Sequence, residues 1–202
     1  NNSSVSRIAA LVGLGALFFV PTFISESLLF PFITGKNFIF RLLVLVVALF
    51  VAYSIFSTKK ITSLNTPTHK IFAALIGVLG IATFFAESPT RSLWSNFERM
   101  EGWFTHALLF LLFVLAYNLI STVKEWRNVF KVSLVANLYV LIFSLMQYVG
   151  TIGTFQSTRL DATLGNATYL AGYFLFYFLF CYGFFRQQKM FLHVTPMEFL
   201  LL

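Results

Sequence analysis

Apolar residues come in long runs along this chain, and most polar residues gather in short segments between them. Ile8–Phe32 is the first run, with Pro21 inside it and Glu26 near its far end. Phe38–Phe56 is the second and Ile71–Ala86 a shorter third, while Phe104–Ile120, Val129–Val149 and Tyr169–Phe185 complete the set. A further apolar run begins after Pro196. A helix needs about 20 mostly apolar residues to span the hydrocarbon core of a bilayer. The pattern therefore predicts an all-α fold, a polytopic transmembrane helix bundle of about six complete spans plus the start of a seventh. No Gly/Ser- or Pro-rich linker and no internal repeat divides it, so residues 1–202 are expected to form a single transmembrane domain.

Composition removes the soluble alternatives. The 202 residues are 58% hydrophobic and 19% aromatic, with 27 phenylalanines, and only 10% are charged. Soluble domains are usually about 45–50% apolar and about 25% charged. A compact domain of this size has too little interior for so much apolar surface, so most of the solvent must be lipid. The net charge of +7 would suggest nucleic acid in a soluble protein, but here the basic residues lie between apolar runs and set orientation instead. Cys181 is the single cysteine and excludes an intrachain disulfide; among Phe180, Tyr182 and Phe184 it reads as a small packed hydrophobe. The amino terminus lacks the ordered features of a cleavable signal peptide.

The charges also predict topology. Arg7, the group Lys59, Lys60, His69 and Lys70, the pair Lys124 and Arg127, and finally Arg186 and Lys189 fall on one side if every run crosses once. Thr34–Asn37, Glu87–Trp103 and Gly150–Thr168 fall on the other, with Lys36 and Arg41 as dissenting cations. Basic loops stay in the cytoplasm, so both ends of the chain are expected there, in a multi-pass protein of the bacterial cytoplasmic (inner) membrane.

Candidate chemistry lies in the outer segments. In Glu87–His106, helical spacing from Leu93 onward would align Trp94, Phe97, Glu101 and Phe104 on adjacent faces. Arg91, Ser95 and Arg99 are four apart, so both guanidiniums would project from one side, restrained by Glu98 and Glu101. Trp94 and Trp103 are rings of the kind that settle at headgroup level. The segment reads either as an interfacial helix or as a site for phosphate, which arginine grips with a planar fork. In Arg159–Phe176, Gly165 can take a positive φ in a tight turn, and Asn166 or Thr168 can cap the following helix. Arg159 stands beside that amino end, with Asp161 available to hold it; a capped helix with a surface ion pair is the plainer alternative. Glu26 is expected to pair with Lys36 or Arg41, because an unpaired charge in lipid is costly. His69 and His193 read as solvated loop residues. His106 sits one turn into the fourth run, without the neighbours of a metal site.

Three stretches in order carry a resemblance: "FPFITGKNFIFRLL" at Phe30–Leu43, "SPTRSLWSNFERMEGWFTHALLFLLF" at Ser88–Phe113, and "RLDATLGNATYLAGYFLF" at Arg159–Phe176. Together they resemble the bacterial O-antigen ligase and polymerase-like membrane proteins. The resemblance implies transfer of a glycan from an undecaprenyl (polyprenyl) diphosphate carrier on the outer face of the cytoplasmic membrane, as in lipopolysaccharide biosynthesis. It implies that this chain is the amino-terminal half of a longer polytopic protein, with essential arginine and histidine residues in the other half. The expected partners are membrane lipid, the lipid-linked glycan and that carboxy-terminal half, with no nucleic acid, cofactor or metal. Arg91, Arg99 and Arg159 are then the candidates for the diphosphate, supported by Glu98, Asp161 and Asn166; the catalytic base is unassigned. The alternative class is a non-enzymatic polytopic subunit or transporter component, which would show a polar seam at the midplane. The run centres show few such residues, chiefly Asn137, Ser144 and Gln147.

Overall fold

The computed structural model describes residues 2–58, 66–96, 98–155 and 158–191. Lys59, Lys60, Phe97, His193 and the apolar run after Pro196 lie outside the described residues. Among the described residues, all regular structure is helical: α1 (Asn2–Ala16), α2 (Thr34–Thr58), α3 (Pro67–Phe84), α4 (Pro89–Trp94), α5 (Trp103–Leu119), α6 (Val123–Tyr148) and α7 (Ala167–Phe191). Three-ten turns occupy Leu17–Thr22 and Ala162–Leu164.

Five helical stretches are long and apolar enough to cross a membrane: Ser4–Thr22, Thr34–Ser57, Pro67–Phe84, Val123–Tyr148 and Ala167–Arg186. The run expected as the fourth span forms α5, whose 17 residues make it shorter. At ~1.5 Å per residue it reaches ~26 Å, under the ~30 Å of a hydrocarbon core. The first run is also cut short. Pro21 has no amide hydrogen to extend a helical ladder, and the chain tightens into the three-ten turn that contains it and leaves helix at Phe23 in an extended conformation. Two other helices begin earlier than the apolar windows suggest. Thr66 caps α3 by accepting from the His69 amide at 3.3 Å, and Pro67 opens the first turn, where its missing donor is harmless. His69 is therefore not a solvated loop residue; it is buried in that first turn, against the rings of Phe113 and Tyr117. At α6, Thr122 Oγ1 accepts from the Glu125 amide while Glu125 Oε2 accepts from the amides of Thr122 and Ser121. That reciprocal arrangement is a capping box.

The chain divides into two compact units, Asn1–Val129 and Phe130–Leu202. In the first, Ala10 and Leu14 of α1, Val44, Val47 and Val51 of α2, and Leu108, Leu115 and Leu119 of α5 form one buried cluster with Ile120 and Val129. Their helical spacing turns one stripe of each helix inward, leaving residues such as Leu42, Leu49 and Phe56 exposed, as lipid-facing side chains would be. Arg7 donates to the Leu119 carbonyl at 2.8 Å and to Glu125 Oε1 at 2.6 Å, and Ser6 Oγ to the Phe50 carbonyl at 2.7 Å. In the second unit, Val140, Ala162 and Leu170 form a smaller cluster joined by Phe143, Leu160, Leu164, Tyr173 and Phe174. There α6 and α7 meet through large rings: Phe130 stacks on Phe184 with centroids 4.2 Å apart and meets Phe180 edge-on.

Candidate functional site

In the first unit the segment expected to continue helically from Leu93 breaks instead. α4 ends at Trp94, and Ser95 takes φ 65° and Met100 φ 53°, both in the left-handed half of backbone space that side chains disfavour. Asn96 Oδ1 accepts from the Arg99 amide at 3.0 Å, a local turn that competes with helix. Gly102 then passes directly beneath α4, where any Cβ would collide with the Leu93 carbonyl and the Trp94 backbone. The even spacing of Arg91, Ser95 and Arg99 therefore does not place both arginines on one helical face. Arg91 is exposed on α4 and Arg99 is exposed on the connection to α5. Glu98 and Glu101 are exposed too, and no ion pair joins either to Arg91 or Arg99 among the described residues. The Trp103 indole lies against α3, with Nε1 donating to the Ile76 carbonyl at 2.9 Å.

Beneath this connection lies Arg41, in the second turn of α2 and only 8% exposed. Its NH2 donates to the Met100 carbonyl and to Thr105 Oγ1, both at 2.9 Å, and the Thr105 hydroxyl itself donates to the Met100 carbonyl at 2.7 Å. The rings of Phe104 and Trp94 lie 5.4 and 5.9 Å from the guanidinium carbon, close enough for cation–π attraction. One turn earlier on α2, Asn37 Nδ2 donates to the Arg99 carbonyl at 3.3 Å. The expected pairing of Glu26 with Lys36 or Arg41 does not form among the described residues. Its physical reason is gone: Glu26 sits after the end of the first helix, exposed in a turn-rich segment, and needs no counter-ion. Arg41 is the charge that is buried, and no carboxylate meets it among the described residues. Its Nε is buried without a hydrogen-bond partner. A stranded donor of this kind costs roughly 1–3 kcal/mol, more when charged.

The second unit holds its arginine-bearing loop differently. Asp161 is fully buried rather than lying on the surface. Its carboxylate accepts from Gln147 Nε2 at 2.8 Å and from the Phe155 amide at 2.9 Å. Gln147 completes the exchange: Nε2 also donates to the Gly153 carbonyl at 3.1 Å, while Oε1 accepts from the amides of Asp161 and Ala162 at 3.2 and 2.7 Å. One glutamine at the end of α6 thus fastens the loop that leads to α7. Arg159 is exposed two residues before the buried carboxylate. Gly165 adopts φ 66°, and Asn166 Oδ1 accepts from the amides of Thr168 and Tyr169 at 2.8 and 3.4 Å. Turn and cap agree with the sequence expectation, and of the two capping candidates Asn166 supplies the oxygen. The cap occupies these first amides, so the helix offers an anion there its dipole.

Sequence reasoning missed Gln147 and the roles of Asn37 and Thr105. Gln147 was visible as a polar residue at the end of an apolar run; Asn37 and Thr105 carried no local signal. Among the described residues no three His, Cys, Asp or Glu side chains gather as a metal site would require. Comparison with protein-family models, curated proteins and solved structures finds no match for this chain.

Proposed function

We propose that this chain is a membrane glycosyltransferase-like protein of the O-antigen ligase and polymerase type, which handles a polyprenyl diphosphate-linked glycan at the outer face of the bacterial cytoplasmic membrane. Both ends of the chain are cytoplasmic in this reading, as the basic loops require. In the reaction, the acceptor hydroxyl oxygen bonds to the anomeric carbon as the bond from that carbon to the diphosphate oxygen breaks. The hydroxyl proton passes to a base, and the diphosphate leaves with its negative charge. Preorganised arginine forks can stabilise that charge without a metal.

One observation carries the reading: exposed Arg99 and Arg159 each stand on a loop whose nearby backbone is fastened by buried polar side chains. A loop already ordered loses less freedom on binding an anion, so the arginine grips more tightly. Arg91 on α4 supplies a further fork. The three resembling stretches include all three arginines.

The test is transfer of radiolabelled glycan from its polyprenyl diphosphate by the full-length protein in membranes, with protein level checked for every variant. Arg159→Lys keeps the charge but loses the fork and is expected to cut transfer about tenfold or more. Arg186→Lys, on α7 and exposed, is expected to leave transfer unchanged. Full transfer in the Arg91, Arg99 and Arg159 alanine variants alike would overturn the phosphate assignment. Absence of transfer by the unaltered protein, with several donors and acceptors offered, would overturn the reaction itself.

A further inference from the structure

We infer that Arg41, with Asn37, is a positioning residue: a clamp from α2 that fixes the backbone on which Arg99 stands. The clamp grips two consecutive carbonyls. Asn37 Nδ2 holds that of Arg99 at 3.3 Å and Arg41 NH2 that of Met100 at 2.9 Å. The two donors are one helical turn apart on α2, so a single rigid element sets both distances. Thr105 closes the arrangement from α5 by bonding both Arg41 NH2 and the Met100 carbonyl. The gripped residue, Met100, has φ 53° and is itself buried, a conformation that persists only where its surroundings hold it.

The choice of residue supports this role over simple packing. An apolar side chain would fill the space beside Trp94 and Phe104 without burying a charge or stranding Nε. A guanidinium instead lies 5.9 and 5.4 Å from the two rings and donates from the single nitrogen NH2 to a carbonyl and a hydroxyl at once. Its acceptors are neutral, and no carboxylate contacts the guanidinium among the described residues. Arg41 thus orders the backbone on which Arg99 stands. The functional consequence rests on the reading proposed above; the clamp itself does not.

Limited trypsin digestion of the purified full chain in nanodiscs separates the two. Trypsin cuts after arginine, and cleavage of a folded protein tracks the population of locally opened chain. The bond between Arg99 and Met100 is expected to be protected, and cleavage after Arg159 in the second unit serves as the internal reference. Arg41→Met is expected to accelerate cleavage after Arg99 by about tenfold, with the Arg159 cut unchanged. Arg41→Lys, which keeps the charge on a shorter side chain, is expected to fall between. Asn37→Ala and Thr105→Val lose single contacts and are expected to give smaller accelerations at the same bond. Protection of Arg99 undiminished in folded Arg41→Met protein overturns the clamp; should that variant not fold, undiminished protection in both Asn37→Ala and Thr105→Val does the same. Full protection by Arg41→Lys overturns the need for a guanidinium at this position. The transfer assay then speaks to the proposed function alone: a clamp opened in Asn37→Ala with transfer unaltered leaves the clamp standing and removes Arg99 from the phosphate site.

Discussion

The first unit buries a cation beneath its loop, and the second buries an anion. Arg41 is satisfied by a carbonyl and a hydroxyl, Asp161 by a side-chain amide and a backbone N–H. Neither charge relies in these contacts on an opposite charge. The ion pair between Arg7 and Glu125, at 2.6 Å, is instead partly open to solvent, with side chains 40% and 18% exposed. Burial makes desolvation of two ions expensive, and their attraction repays it only in excellent geometry. Neutral dipoles avoid the second desolvation. The two loops thus differ in the sign of the charge that these contacts hold, while each carries an exposed arginine.

The largest expected effect breaks this comparison on the anionic side. Asp161→Ala strands one N–H of Gln147 Nε2 and the Phe155 amide, and each stranded donor costs roughly 1–3 kcal/mol. Thermal unfolding in detergent is expected to fall by several degrees, with trypsin cleavage after Arg159 accelerated and cleavage after Arg99 unchanged. Unchanged melting, with the Arg159 site as resistant as before, would show that the buried carboxylate does not brace its loop.

A donor–acceptor swap sharpens the point. Gln147→Glu sets a carboxylate where an amide donor faced Asp161, replacing a hydrogen bond by repulsion, with a loss of roughly 1–3 kcal/mol expected. Adding Asp161→Asn returns a donor to the pair and is expected to recover part of the loss. The recovery is incomplete because the Gly153 carbonyl still lacks the amide it accepted from. Additive losses in the double variant would mean that the two side chains do not act as a pair.

These residues also show what could be read from the chain in advance. The Gly165 turn and the Asn166 cap join neighbours in sequence, so the local pattern announces them. The capping box at Thr122 and Glu125 and the Thr66-Pro67 start of α3 were equally local, but windows tuned to apolar runs begin a helix only after its polar first turn. The break at Ser95 is another matter. Residues 93–104 suit a helix, and only the close passage of Gly102 under Leu93, with Asn96 turning back on Arg99, overrides that preference. Arg41 and its carbonyl lie 59 positions apart, and Gln147 and Asp161 14. No periodicity encodes such meetings; the charge count marked Arg41 as a dissenting cation and offered it Glu26, while Asp161 read only as a support for Arg159.

The smallest expected effects test the exposed member of the comparison. Thr122→Ala removes the hydroxyl that caps α6 and is expected to cost about 1 kcal/mol. Glu125→Gln is subtler. A glutamine keeps an oxygen for the Ser121 and Thr122 amides, so the cap survives, while its amide nitrogen replaces the oxygen that accepted from Arg7, and both the charge and that hydrogen bond are lost. Pairs that water reaches contribute about 0.2–1 kcal/mol, and salt screens them. The difference in melting temperature between the unaltered protein and Glu125→Gln is therefore expected to shrink as sodium chloride is raised, while the deficit of Asp161→Ala persists because the hydrogen bonds from Gln147 and the Phe155 amide come from neutral donors. A salt-independent deficit for Glu125→Gln, as large as that of Asp161→Ala, would erase the distinction between charges held by ions and charges held by dipoles.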